Sequence, residues 1–248
     1  MKAMILAAGL GTRLKPWTLE HPKALVPVGG IPMLERVIIR LRDSGFDRIV
    51  VNIHHFGEQI TDFLGRKDFG IQIAVSDESG RLLDTGGGIL NAEHLLCADG
   101  EPFLVHNVDI LSDADLRALM QHHSAVGSLA TLLVSPRDSS RRIFFDSRMM
   151  LRGWKNCKTG EYRPENFRPH TRLTPLAFSG IHALSVGFFD AARRLGFGGA
   201  FPIMDFYLKA CGDDFIGGYR EPDLHLIDIG KPETLSLARA EIDRFTTR

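Results

Sequence analysis

An α/β fold, a parallel sheet with covering helices, is predicted by three features of this 248-residue chain. Strand-like and helix-like patterns alternate from the start, the first strand runs into a glycine turn, and an aspartate closes a later apolar strand. With 44% hydrophobic and 24% charged residues, the chain can bury the core of one large domain, expected to span 1–248.

Each element follows from its local pattern. Lys2 to Ala8 is a short apolar run read as a buried strand. "PMLERVIIRLRDSG" then places Leu34, Val37, Ile38 and Leu41 on one helical face before Gly45 stops it. "DRIVVNI" is a strand, "GEQITDFLG" a short helix and "GIQIAVS" another strand, giving βαβαβ with right-handed crossovers. "PFLVHNVD" supplies a strand with Asp109 at its carboxyl end. "SDADLRALMQHH" reads as a helix capped by Ser112 or Asp113, with a Leu116, Leu119, Met120 stripe.

From about 135 to 175 the arginines, prolines and short alternating pieces predict a hairpin-rich, lid-like insertion. The α/β pattern returns with "LAFSGIHAL", helices over about 186–194 and 202–210, and strands in "DFIGGY" and "LHLIDIG". The closing "PETLSLARAEIDRF" is a helix with Pro232 in its first turn.

Thirty basic residues balance thirty acidic ones, so no overall field gathers nucleic acid or an anionic membrane, and neither is expected as a partner. Cys97, Cys157 and Cys211 are odd in number and in no CxxC spacing, which speaks against disulfides and zinc and for a reducing cytoplasm. The first apolar run is too brief for a signal-peptide core, and no stretch approaches membrane-spanning length.

The chemistry begins in "MILAAGLGTRLKPWTLEHPKALVPVGG" at 4–30. Gly9 and Gly11 follow the strand and can let backbone N–H groups approach an anion. A Walker A loop is excluded because no lysine stands at the required place. A dinucleotide fingerprint fits poorly: Leu14 replaces its third glycine, Pro16 discourages an immediate helix, and Glu20 is too near for a ribose. What remains is a strand feeding a loop that carries Arg13, Lys15 and Lys23. Pro16, Pro22, Pro27 and Pro32 reduce the entropy lost on ordering it. By itself the GxG is better explained by an ordinary turn with surface lysines.

The whole string, however, resembles the amino-terminal signature of the sugar-1-phosphate nucleotidyltransferases, AAGxGTRLxPxT followed by PKxLxPV. "DTGGGI" at 84–89, the aspartate of "VHNVDI" and "LIDIGKPE" at 226–233 resemble later motifs of that family, in the family's order. The likeness is closest to short single-domain N-acetylmuramate-1-phosphate uridylyltransferases, at "TGGGI" and "FSGI", and extends to mannose-1-phosphate guanylyltransferase-like proteins. It implies a three-layer αβα sandwich with a Rossmann-like, mixed but mainly parallel sheet, of the nucleotide-diphospho-sugar transferase type.

The resemblance also implies roles. Arg13 and Lys23 would be the catalytic cations, Arg13 on the departing phosphates and Lys23 bridging the α-phosphate and the incoming sugar phosphate. The nucleotide would lie against Leu6, Ala7, Ala8, Gly9, Gly11, Thr12, Asp84, Thr85, Gly86 and Gly87. Asn52, Gly87, Ser179 and Gly180 would meet the sugar. Asp109 and Asp228 would hold Mg2+, which usually takes only one or two protein carboxylates beside substrate phosphates. Many relatives have glycine where Val108 stands, a side chain that either crowds the ribose or points into the core. A basic residue of the central hairpins would hold the sugar phosphate, with Arg141, Arg142, Arg152 and Lys155 all open. His54 and His55 lack a third ligand and read as structural.

The implied reaction joins a sugar-1-phosphate and an NTP, both small molecules, to an NDP-sugar and pyrophosphate, in a monomer or homodimer. Uridylyl transfer to N-acetylmuramate-1-phosphate, a cell wall precursor, leads. Mannose-1-phosphate guanylyl transfer, phosphocholine-type cytidylyl transfer and a non-catalytic NDP-sugar sensor stand behind it.

Overall fold

The computed structural model describes residues 1–221 and 223–245. In chain order the elements are β1 (Lys2–Leu6), β2 (Pro27–Val28), β3 (Ile31–Pro32), α1 (Met33–Asp43), β4 (Arg48–Ile53), α2 (Gly57–Gly65), β5 (Gln72–Asp77), α3 (Asp84–Asn91) and α4 (Glu93–Leu96). There follow β6 (Phe103–Asn107), β7 (Ile110–Ser112), α5 (Leu116–Val126), β8 (Ala130–Ser135), β9 (Arg141–Phe145), β10 (Leu151–Asn156), β11 (Tyr162–Arg163) and β12 (Thr174–Leu184). The last are α6 (Gly187–Arg194), α7 (Ile203–Ala210), β13 (Ile216–Arg220), β14 (Leu226–Asp228) and α8 (Pro232–Ala240).

Strands β5, β4, β1 and β6 run parallel, with Leu6 opposite both Asn52 and Asn107. Covered on both faces, β1 is apolar from Ala3 to Leu6 rather than alternating. Beyond β6 the sheet turns antiparallel: β12 pairs with β6 and with β8, and β13 then lies parallel to β8. The result is a mixed, mainly parallel α/β sheet with an apolar layer on each side. One layer packs α1 and α5 through Leu34, Val37, Leu116 and Leu119; the other packs α6 and α7 through Phe188, Phe189, Phe206 and Tyr207.

The helices stop where their sequences say. In α1 the predicted stripe Leu34, Val37, Ile38 and Leu41 is buried, with Arg40 and Arg42 in the last turn and Gly45 at φ +88°. The cap of α5 differs from the expected Ser112 or Asp113. Asp115 takes that place, accepting from Ala118 N at 2.9 Å, because Ser112 belongs to β7 and Asp113 accepts from His225 N at 2.9 Å.

The 135–175 stretch does form hairpins, β9–β10–β11, but they continue the main sheet instead of standing apart from it. Thr174–Leu176 of β12 pair with β9, and Phe145, Leu151 and Trp154 share a core with Phe188 and Phe206. Among the described residues no helix is long and apolar enough to cross a membrane.

Candidate active site

The loop after β1 is ordered by close internal contact. Gly11 has φ +62°, and a Cβ there would lie 2.8 Å from Lys23 Cβ and 2.9 Å from Thr18 Cγ2. Both the backbone sign and the contact demand glycine. Gly11 O accepts from Leu14 N and from Thr18 Oγ1, and the chain turns back through three short 3-10 segments, Thr12–Leu14, Trp17–Leu19 and Lys23–Leu25. Pro16 and Pro22 begin the second and third. Lys23 is thereby folded against the glycine turn. Among the described residues, the amides of 9–13 have no hydrogen-bond acceptor, so they are free to face an anion.

Upstream, the amides of Ala7 and Ala8 are occupied. Both donate to Asn52 Oδ1, at 2.6 and 3.3 Å, while Asn52 Nδ2 donates to Glu78 Oε1 at 2.7 Å. Asn52, expected at the sugar, is therefore a buried strut between β4, β5 and the loop, with both ends of its amide engaged. Burial raises the Glu78 carboxyl above its ordinary value, opposed by the Asn52 hydrogen bond.

The glycines of "DTGGGI" also serve the protein's own packing. A Cβ on Gly86 would sit 2.2 Å from the Phe201 ring, and one on Gly87 would sit 2.2 Å from Gly199 O. Their amides donate to Phe201 O, and Thr85 Oγ1 accepts from Ile203 N at 2.8 Å. On the side that a Cβ would occupy, Gly86 and Gly87 therefore face filled space rather than room for a base. Asp84 and Thr85, with Leu82, are what this segment presents to the cavity beside the glycine loop.

That cavity, about 430 Å³, is bounded by the glycine loop from Ala8 to Arg13, by Leu6, Lys23 and Asn52, and by Asn107, Val108, Asp109 and Gly230. Val108 is itself buried in the core, and its N–H donates to Leu6 O.

Asp109 and Asp228 are brought together by a small ribbon outside the main sheet. β14 pairs antiparallel with β7, setting Asp228 opposite Ile110, and Ile229 N donates to Asp109 O at 2.8 Å. Lys23 forms an ion pair with Asp109. Gly230 lies where Arg13 and Asp228 meet: a Cβ there would be 2.7 Å from Arg13 Nη2 and 2.7 Å from Asp228 Oδ1. Burial raises the Asp228 carboxyl; Asp109 raises it further, and Lys23, Arg13 and Arg137 oppose them. Two carboxylates repelling each other beside two cations are a donor set that suits a hard divalent ion completed by phosphate oxygens. His54 Nδ1 is instead bound to Glu78 O, and His55 packs on Phe56. Among the described residues no group of three or more His, Cys, Asp or Glu forms a metal cluster.

On β12, Gly180 adopts φ +74° at a register shift between Phe178 and His182, and its Cα packs on Asn107, whose Nδ2 a Cβ would approach to 2.9 Å. Ser179 is 1% exposed, and its hydroxyl has no partner among the described residues. Of the hairpin cations, Arg142 binds Asp138 and Arg137 O, Arg152 binds Asp146, and Lys155 lies over the Tyr162 ring. Arg137, just after β8, donates Nη2 to Phe178 O at 2.9 Å, and its charge is among those that oppose the raised Asp228 carboxyl. Sequence reasoning passed over it because "SPRDSSRR" reads as a solvated basic turn; its place right after the buried strand β8 was the available signal.

Residues 2–143 match the nucleotidyl transferase family. The chain is 46% identical over 127 residues to an N-acetylmuramate alpha-1-phosphate uridylyltransferase of Neisseria meningitidis, covering 51% of this chain and 54% of that protein. It is 38% identical over 142 residues to mannose-1-phosphate guanylyltransferase 1 of Arabidopsis thaliana, covering 56% and 39%. These alignments span about half or less of each relative's length. A solved UDP-glucose pyrophosphorylase complexed with UDP-glucose superposes with a TM-score of 0.77 at 17% identity, covering 98% of each chain, a likeness of fold.

Proposed function

Since the chain belongs to the nucleotidyl transferase family, we propose that it transfers a uridylyl group from UTP to N-acetylmuramate-1-phosphate, giving the UDP-sugar and pyrophosphate. The observation that carries this is the meeting of Arg13, Lys23, Asp109 and Asp228 beside a glycine loop with free amides. The choice of sugar and base rests on the 46% identity, over 127 residues, to the N-acetylmuramate alpha-1-phosphate uridylyltransferase.

In the reaction an oxygen of the sugar phosphate bonds to the α-phosphorus of the triphosphate. The α–β bridging P–O bond breaks, and its electron pair leaves with pyrophosphate. Little proton chemistry is required; the task is aligning two anions and neutralising them. Arg13, in the cavity lining beside Gly230, takes the charge that grows on the leaving phosphates. Lys23, paired with Asp109 in the resting protein, is a compact charge able to follow the α-phosphate. The amides of residues 9–13 bind the triphosphate backbone. Mg2+, when bound by Asp109 and Asp228, supplies further neutralisation of phosphate oxygens. The site faces cytoplasmic nucleotide pools, and a monomer or homodimer suffices.

Pyrophosphate release from a matrix of UTP, GTP, CTP and dTTP against N-acetylmuramate-, mannose- and glucose-1-phosphate and phosphocholine tests the proposal. UTP with N-acetylmuramate-1-phosphate should be the fastest pair and should need a divalent cation. GTP with mannose-1-phosphate as the best pair would replace the assignment. Nucleotide binding without release for any pair would turn it into a sensor.

A further inference from the structure

We propose that Asn52 and Glu78 are positioning residues that tie together the two walls of the cavity beside the glycine loop and so set its affinity for nucleotide. The inference rests on the reading above that this cavity takes the nucleotide. One wall is the glycine loop; the other is formed by Leu82, Asp84 and Thr85 at the start of α3. A relay of hydrogen bonds joins them through Asn52, which lines the cavity. Ala7 N and Ala8 N donate to Asn52 Oδ1 at 2.6 and 3.3 Å, Asn52 Nδ2 donates to Glu78 Oε1 at 2.7 Å, and Leu83 N donates to Glu78 Oε2 at 3.3 Å. Backbone N–H groups can only donate, which fixes the direction of every bond: the Asn52 oxygen must face the loop and its nitrogen must face Glu78.

The surroundings hold this pair in place. Asn52 is 2% and Glu78 3% exposed, so a broken bond leaves a buried group unpaired instead of handing it to water. The sheet anchors both residues: Asn52 lies opposite Leu6 and Ser76, and Glu78, just after β5, donates its N–H to Ile53 O at 2.9 Å. Helix α3 packs directly onto them, since a Cβ on Gly88 would lie 2.6 Å from Glu78 Oε1 and 2.8 Å from Asn52 Nδ2. The third glycine of "DTGGGI" therefore makes room for the pair. At one end of the relay the free amides begin at Gly9, the residue after Ala8; at the other, Asp84 and Thr85 follow Leu83. A shift at either end moves groups that line the cavity, and preorganised donors lose affinity when they must be reordered on binding.

The test exchanges donors and acceptors. In Glu78→Gln alone, one junction of the relay must set two N–H groups against each other; in Asn52→Asp alone, two carboxylates face each other. In the double variant every junction again has a donor and an acceptor, because the carboxylate at 52 accepts from Ala7, Ala8 and the amide at 78, whose oxygen accepts from Leu83 N. Affinity for the tighter-binding of UTP and GTP is measured by calorimetry with Mg2+ at pH 8, where a proton shared between facing carboxyls is disfavoured. Kd should rise roughly 10-fold or more in each single variant and return to within about 3-fold of wild type in the double one. KM for the sugar-1-phosphate at saturating nucleotide should change less than about 2-fold throughout. Glu78→Asp, whose shorter side chain reaches one partner instead of two, is the variant to rely on if a single exchange does not fold, and its Kd should rise roughly 3-fold or more. An unchanged Kd in a folded single variant, a double variant as weak as the worse single, or an equal rise in sugar KM overturns the inference. Nucleotide binding by the wild-type chain without turnover for any acceptor overturns the proposed reaction and leaves this inference standing. A wild-type chain that binds neither nucleotide overturns both.

Discussion

Asp109 and Asp228 carry the same chemistry in opposite electrostatic settings. Asp109 has Lys23 as its ion-pair partner, whereas Asp228 is raised by burial and by Asp109. An acid raised in the folded state loses its proton first in the unfolded chain. The folded protein therefore loses stability as pH climbs from the unfolded value through the folded one. At neutral pH without divalent cations, Asp228→Asn should leave Tm equal or higher, whereas Asp109→Asn strands the Lys23 charge and should lower it. Both should cut turnover by roughly 10²- to 10³-fold, the usual loss for a deleted electrostatic contact to a transition state. Magnesium should raise Tm in the wild-type chain and lose that effect in both variants. A fall in Tm for Asp228→Asn comparable to that for Asp109→Asn would mean that the two carboxylates do not oppose each other.

At the scale of elements, the site depends on how tightly the glycine loop is folded onto the Pro22–Lys23 segment. Gly11→Ala would put a methyl group 2.8 Å from Lys23 Cβ at a φ of +62°. The left-handed backbone alone costs about 1–2 kcal/mol, and relief of the contact must move Lys23. Turnover should fall with a loss of stability measurable by urea unfolding, and Lys23 should no longer protect Asp109 from carbodiimide labelling. Gly9→Ala is the contrast, because nothing lies within 4 Å of its added carbon; equal damage from both would sink the packing explanation.

The same contrast shows what was legible in the sequence. Runs such as Met4–Leu6 and stripes such as Leu34, Val37 and Ile38 declare their elements because burial imposes a period on them. Arg13, Lys23, Asp109 and Asp228, which the fold brings close, stood out because each falls in a short motif. The roles of Gly86 and Gly87 were not legible: their crowding comes from Phe201 and Gly199, more than a hundred residues away, and a glycine shows no sign of what it makes room for. The hydrogen bonds of Asn52 were hidden for a similar reason, since its partners Ala7 and Glu78 come from two other stretches of chain. Of the β7–β14 ribbon only the strand in "LHLIDIG" was legible; the three-residue β7 and its pairing carry almost no pattern.

Across the whole molecule, the parallel half of the sheet carries the glycine loop and the cavity beside it, and the antiparallel strand β12 carries Ser179 and Gly180. The seam between the halves holds buried histidines. His106 on β6 and His182 on β12 are almost fully buried at that seam, and His123 of α5 is buried against Thr131 of β8. Burial lowers their pKa values to about 4, about 3 and about 4. A histidine lowered in the folded state stabilises fully above its unfolded value near 6.5, and that stability is lost as pH falls toward the folded values. Asp228 and Glu78, raised by burial, act in the opposite sense, so the histidine contribution must be isolated by substitution. His182 is the choice, because neither ring nitrogen has a partner among the described residues; an apolar side chain of similar volume loses no hydrogen bond there. Tm of the wild-type chain should fall by roughly 5 °C or more between pH 6.5 and 4.5. His182→Leu should keep the neutral-pH Tm and show a shallower decline. Parallel curves for the two proteins would show that protonation at the seam does not set the acid limit of the fold.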